Sequence, residues 1–508
     1  MAEQQSFIFS DQTSEPAAPG SDLDWTAGGI AKLLEKFFDD KLAHIEVTKL
    51  TFLEHFTYLL YLKLDHERSQ LPERFRAANP PVVPPAYGWT TIADRAGDDL
   101  RKQLGIILRE LAKQDAKLDQ PAHSTTLAIF RNAKMWDEQH IGELTSLIQD
   151  VIKPWEWSRH LPALGEAYER LLEFCADDID QNRDMGQVIT PRPLLSAIAR
   201  VLDVRSTDVV LDPAAGTGGA LLAAYRQATA ADLGRLGPDA IGGADWGPQM
   251  VRLGTMNILL NTIRPFNDNA PIQKADSLAD GGAIVSRPTG SPEPTVVICN
   301  PPFRSTTPPP IHRLDLLHYN QLLPGYFLQH IAFGMPRNAR AAVFIPEGML
   351  QGSGAGAILQ ELANVCDLHT LLRLPDRIFR NGSKLSSVKA NVLFFNKIHA
   401  DPRGTPSTSE LWVYDLRQST RESIATDLDA FVAAYRPGQP TNTRTSSSTF
   451  SRYDYASLRS QRFQLHDLEA GPKPGLAPMR PAREIAADIA KDLAKAQQLF
   501  AELAQQLP

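Results

Sequence analysis

The tetrapeptide Asn300-Pro301-Pro302-Phe303 closes a short apolar run, Val296-Val297-Ile298-Cys299. Such a run reads as a buried strand. The prolines cannot extend it, because they lack the N–H and fix φ. The Asn300 amide and the Pro301 carbonyl are therefore expected at the C-terminal edge of a strand, where open α/β sheets bind ligands. Two acceptors beside a flat ring suit the gripping of an exocyclic amino group on a planar base. Taken alone, an Asn-Pro pair after a strand is more often only a turn.

A second constellation lies upstream, in Val209-Val210-Leu211-Asp212-Pro213-Ala214-Ala215-Gly216-Thr217-Gly218-Gly219. Strand, glycine loop and helix open a doubly wound nucleotide-binding sheet. Gly216 and Gly218 let the backbone bend tightly and approach a ligand. A dinucleotide site would want glycine where Leu221 stands, and a phosphate loop would want Gly-Lys-Ser/Thr. An acidic residue opening a loop without a phosphate fingerprint fits S-adenosylmethionine, which carries an ammonium group and a ribose diol but no phosphate. Asp245, ending Ile241-Gly242-Gly243-Ala244, is placed for the ribose hydroxyls, and Asp276, after Gln273-Lys274-Ala275, for an adenine amino group. Each acid alone would be an ordinary strand end or cap; three at successive strand ends of one sheet carry more weight.

The positioning elements follow from periodicity. Ile30, Leu33, Leu34, Phe37 and Phe38 make an amphipathic stripe, as do Leu100, Leu104, Ile107, Leu108 and Leu111. The segment Leu50 to Leu64 is apolar on nearly every side, so an interior helix is expected. Asn79 to Pro85 is a proline-rich connector. Thr190 is expected to cap a helix whose first residue is Pro191, giving an anion-friendly start. Strands are expected at Ala341–Ile345, Leu368–Pro375 and Lys389–Asn396, the last two closing the sheet. Phe379 and the basic residues Arg377, Arg380, Lys384 and Lys389 lie between them, either as a solvated turn or as phosphate contacts. The loop from Arg304 to Pro310 is a candidate substrate-gripping loop.

These readings divide the 508 residues into a disordered lead (1–24), a helical domain (25–155), a catalytic domain (156–400), a linker-rich region (401–480) and a terminal docking helix (481–508). The fold class is α/β. There is no basic and apolar leader and no run long enough to span a membrane. Cys175, Cys299 and Cys366 are too far apart for a disulfide framework or a zinc site, so buried thiols in a reducing cytoplasm are expected. A net charge of −7 is awkward for a chain that binds nucleic acid unaided.

Together these residues resemble the amino-methylating DNA methyltransferases, and most closely the modification (M) subunits of type I restriction-modification systems, from about Ile30 to Lys397. Leu164-Gly165-Glu166-Ala167-Tyr168-Glu169 resembles the helix before the family's cofactor motif. Gly186-Gln187-Val188-Ile189-Thr190-Pro191-Arg192 resembles its Gly-Gln-x-aromatic-Thr-Pro-Arg signature, with Ile189 at the aromatic position. Asp212 to Gly219 matches its glycine loop, and Asn300 to Phe303 its catalytic tetrapeptide.

The resemblance implies a Rossmann-like class I S-adenosylmethionine-dependent methyltransferase sheet with an N-terminal α-helical domain and a C-terminal helical tail. It implies a site-specific adenine-N6 DNA methyltransferase with Asn300, Pro301, Pro302 and Phe303 as catalytic residues and no metal. Its cofactor residues would be Gln187, Thr190, Pro191, Arg192, Asp212, Ala214, Gly216, Thr217, Gly218, Asp245 and Asp276. The partners implied are double-stranded DNA with a flipped adenine, a separate specificity (S) subunit, a second M subunit and a restriction-translocation (R) subunit. The short, linker-like stretch after Lys397 agrees with a separate specificity subunit. Methylation of cytosine N4, RNA or a protein glutamine, or a non-catalytic cofactor-binding scaffold in a defence complex, are the alternatives.

Overall fold

The computed structural model describes residues 24–468, apart from 78–79, 114–123, 137, 177–188, 233–235, 263–268, 280–283, 285–290, 304–314, 317–322, 377, 382–383, 386–388 and 399–404. Gln187, Arg377, the Arg304–Pro310 loop, residues 1–23 of the lead and the terminal helix thus lie outside the described residues.

The N-terminal part is helical. Helix α1 (Ala27–Lys41) starts at Thr26, whose hydroxyl accepts from Gly29 N at 3.1 Å. It buries Ile30, Leu34, Phe37 and Phe38. Helix α2 (Lys49–Ser69) is capped by Thr48 in the same way and is buried on nearly all sides, as apolar residues spread around its circumference require. Asp65 on α2 accepts from Val82 N and Val83 N at 2.8 and 3.2 Å, which pins the proline-rich connector. Helix α3 (Gly97–Leu111) buries all five residues of its stripe, and α4 (Thr125–Phe130) is wholly buried. Helix α5 (Leu161–Phe174) adds Leu164, Tyr168 and Leu171 to the same apolar cluster. The helical core therefore continues past residue 155, where a boundary was expected.

The rest is built on one nine-stranded sheet: β1 (Val210–Asp212), β2 (Ile241–Asp245), β3 (Ile272–Lys274), β4 (Val296–Cys299), β5 (Arg340–Pro346), β6 (Cys366–Arg373), β7 (Ala390–Lys397), β8 (Glu410–Asp415) and β9 (Phe450–Asp454). Their spatial order is β9-β8-β6-β7-β5-β4-β1-β2-β3. Strands β3, β2, β1, β4 and β5 are parallel neighbours; β7 runs antiparallel between β5 and β6. Helices α6 (Arg192–Val201), α7 (Gly219–Asp232) and α11 (Ile424–Tyr435) cover one face. Helices α9 (Leu323–Gly334) and α10 (Ser353–Val365) cover the other. This is the doubly wound α/β sheet expected from the sequence.

Helix α8 (Pro248–Asn261) joins the two parts. Its Arg252 is 2% exposed, donates to Ile129 O at 2.6 Å and Arg131 O at 2.8 Å, and pairs with Glu54 on α2. Opposite it, Gly254 lets α8 touch the glycine loop, since a Cβ there would stand 2.6 Å from Gly216 O.

Three expectations need correction. Residues 405–468 are not linker but strand, helix and strand: β8 pairs parallel with β6 and antiparallel with β9. Trp412, Tyr414, Phe431, Tyr435 and Phe450 bury there. A short apolar strand flanked by Pro/Ser/Thr stretches was diluted in the average composition. Accordingly β6 and β7 do not close the sheet. Nor does Thr190 cap α6: Pro191 occupies the cap, and its carbonyl accepts from Leu194 N and Leu195 N. Thr190 lies one residue too far upstream for its hydroxyl to reach those amides, and another partner has it.

Candidate active site

The chain leaves β1 towards β2 and β3 on one side and returns through β4 and β5 on the other. The topological switch therefore falls between β1 and β4, the place where such sheets bind ligands. Asp212 ends β1 and Asn300 follows β4, so the two side chains flank this crevice. A cavity of about 570 Å³ opens there, lined among others by Thr190, Arg192, Asp212, Ala214, Gly216, Thr217 and Asn300. Its size suits a small-molecule ligand.

Asn300 is held by a partner far away in sequence. Its Nδ2 donates to Thr190 Oγ1 at 2.8 Å, while its Oδ1 is buried without a hydrogen-bond partner among the described residues. An unfilled buried acceptor costs about 1–3 kcal/mol, so such a group commonly marks a place where a ligand donates. Pro301 is buried and Pro302 half-buried. The Phe303 ring meets Phe379 edge to face, centroids 6.0 Å apart, and Phe379 in turn contacts Phe344 on the cavity wall.

The glycine loop is braced from several sides. Gly216 and Gly218 have φ of +52° and +80°, a region other residues avoid. Asp212 Oδ1 accepts from Ala214 N at 2.9 Å. Burial raises the Asp212 pKa to about 7, with the nearby Asp245 adding to the rise. Asp245 has its Oδ2 on Gly216 N at 3.0 Å and its Oδ1 on Gly247 N at 2.8 Å. Burial lifts its pKa to about 6 against those hydrogen bonds. Asp276 accepts from Leu278 N at 2.9 Å, and Ser277 donates to Pro213 O at 2.6 Å. Asp245 and Asp276 stand at the same sheet edge but are not among the residues lining the cavity. Burial pushes the Cys299 thiol well above its ordinary pKa, and Asp212 adds to this, so it is no thiolate nucleophile.

Arg192 forms an ion-paired corner. Its Nε lies 3.2 Å from Glu169 and 2.9 Å from Glu173, both on α5, and its Nη2 is buried without a partner among the described residues. Glu169, 7% exposed at its side chain, also receives Arg226 from α7. Two residues here escaped sequence reading. Asn257 on α8 lines the cavity and donates to Thr217 O at 2.9 Å. Trp246, directly after Asp245, is 57% exposed with Lys274 Nζ 4.9 Å from its ring centroid. A tryptophan following an acidic strand end was the available signal. Among the described residues there is no cluster of metal-ligating side chains, and no helix is long and apolar enough to cross a membrane.

Residues 159–430 match the family model described as N-6 DNA Methylase. The chain belongs to that family. It is 31% identical over 396 residues to the StySJI type I restriction enzyme methylase subunit of Salmonella typhimurium, covering 74% of this chain and 69% of that one. It is equally similar, at 31% identity and the same coverage, to the EcoKI methylase subunit of Escherichia coli K12. Among solved structures, a chain from a study of type I restriction-modification complex assembly superposes with a TM-score of 0.67 at 22% identity, covering 94% of this chain and 98% of the other. The methyltransferase subunit of a Streptococcus thermophilus type I system does so with a TM-score of 0.62 at 16% identity, covering 87% and 98%. These two structures share the fold of the methylase. The family match favours DNA over the RNA and protein substrates that the sequence left open.

Proposed function

We propose that this methylase is the modification subunit of a type I restriction-modification system, methylating the N6 amino group of an adenine flipped out of double-stranded DNA. A separate specificity subunit would choose the target, with a second copy of this chain and a restriction-translocation subunit completing the assembly. The acidic net charge supports dependence on a partner for phosphate contacts.

The observation that carries the reading is the Asn300 amide: its nitrogen is held by Thr190, its buried oxygen has no hydrogen-bond partner among the described residues, and the residue lines the cavity at the switch point. An adenine amino nitrogen is a weak nucleophile because its lone pair is delocalised into the ring. Asn300 Oδ1 and the Pro301 carbonyl each accept one of its N–H groups. That draws the nitrogen towards tetrahedral geometry and frees the lone pair. Rate acceleration then comes mainly from positioning and fixed dipoles. Phe303, steadied by Phe379, stacks on the extruded base and offsets part of the few kcal/mol of unstacking.

The residues present fit S-adenosylmethionine. When bound, it supplies an electrophilic methyl group on a sulfonium. Asp212 faces the ammonium end, and Arg192, with one buried donor unfilled, takes the carboxylate. Asp245, whose oxygens hold Gly216 N and Gly247 N, stands at the strand-end edge where a carboxylate takes the ribose hydroxyls. Trp246, one residue further along the same edge, offers an exposed face to the cofactor's adenine.

The test is adenine-methylation mapping of host DNA with and without this chain. A set of N6-methyladenine sites in one sequence context, lost on deletion and restored by complementation, is expected. Identical maps would overturn the proposal.

A further inference from the structure

The glycine loop has a back side, and helix α8 forms it. Asn257, 2% exposed, donates from Nδ2 to Thr217 O at 2.9 Å. Its Oδ1 accepts from Asn261 Nδ2 at 3.2 Å, one turn on. The Asn261 Nδ2 also reaches Gly165 O at 3.1 Å, where α5 comes so close that a Cβ on Gly165 would stand 2.8 Å from Leu260 O. Asn261 Oδ1 accepts from Arg226 Nη2 at 3.0 Å, and Arg226 pairs with Glu169, the partner of Arg192. A continuous chain of hydrogen bonds and ion pairs thus runs from the loop to Arg192, which also lines the cavity.

We propose that Asn257 is a positioning residue for cofactor binding, holding the Gly216–Gly218 loop through the Thr217 carbonyl, and that Asn261, Arg226 and Glu169 carry this hold to Arg192. The inference rests on the reading of the cavity as the cofactor site. A loop with two glycines at positive φ has little stiffness of its own, so its shape has to be imposed from outside. Asn257 supplies a donor at the loop's middle residue, and Gly254 leaves room for the carbonyl before it. Because Arg252 anchors the same helix in the N-terminal helices, the helical region helps to set the loop's position from behind.

The test is titration calorimetry of S-adenosylmethionine into the full chain, with methyl-transfer kinetics in the assembled complex. Asn257→Asp places a carboxylate oxygen against the Thr217 carbonyl. It is expected to weaken cofactor binding and raise the cofactor KM about tenfold or more, with kcat at saturating cofactor within about twofold of the wild type. Asn261→Ala, which touches the loop only through Asn257, should weaken binding about threefold with the melting temperature little changed, and stands in if Asn257→Asp does not fold. Wild-type affinity in Asn261→Ala and in any folded Asn257→Asp, or a fall in kcat with KM unchanged, would overturn the inference. Absence of cofactor binding in the wild type would instead overturn the reading of the cavity.

Discussion

The Asn300 amide nitrogen donates to the Thr190 hydroxyl at 2.8 Å, across 110 residues of chain. This contact decides which end of the amide remains for a ligand. Thr190 comes from the segment entering α6 and Asn300 from the end of β4, so only the folded sheet brings them together.

Thr190→Val keeps the shape and removes the hydroxyl. The amide then loses its clamp and samples both orientations. Methyl transfer is expected to fall about 10–100-fold while cofactor affinity changes much less, with Thr190→Ser retaining most activity. Single-turnover transfer alongside calorimetry checks it; wild-type rates in Thr190→Val would remove Thr190 from the mechanism.

Asp212 predicts a pH dependence. Its folded pKa, raised by burial to about 7 from 3.8, means the native state holds a proton that the unfolded chain has released. Between about pH 4 and 7 the native state binds more protons, so stability declines as pH rises through that window and levels off above it. A bound ammonium group favours the carboxylate. Cofactor binding should therefore release a proton near neutrality and tighten from pH 6 to pH 8. Calorimetry in buffers of different ionisation enthalpy measures this, and Asp212→Asn should abolish the release.

Arg252 ties α8 to the N-terminal helices by one ion pair and two carbonyls. Arg252→Met leaves all three acceptors without their donor. A stability loss of about 3–5 kcal/mol in urea unfolding is expected, and less than about 1 kcal/mol would show that the junction does not depend on this side chain.

Trp246→Ala is expected to weaken cofactor binding about tenfold, while Trp246→Phe keeps it within about threefold. Binding should also quench the fluorescence of the wild type more than that of Trp246→Phe. Equal quenching in both would place the cofactor's base elsewhere.

What was legible in the sequence was local. Asp212 to Gly219 announces its turn because glycines and a proline restrict the backbone within a few residues. Asn300 to Phe303 announces a strand end because two prolines stop the ladder. What stayed hidden depends on packing. The partner of Asn300, the support Asn257 gives Thr217 across 40 residues, and the burial of Arg252 leave no periodic trace. Strand β8 gives a weak signal because only Leu411 to Tyr414 are apolar, between proline- and serine-rich stretches. Glu169 shows the intermediate case: its motif is recognisable, but its ion pairs with Arg192 and Arg226 appear only once α5, α6 and α7 meet.

The most direct test is methyl transfer by Asn300→Ala, measured on target DNA with the partner subunits present and cofactor binding followed in parallel. The account predicts loss of transfer by about a thousandfold or more with cofactor affinity within about threefold of the wild type. Methylation at the wild-type rate would contradict it.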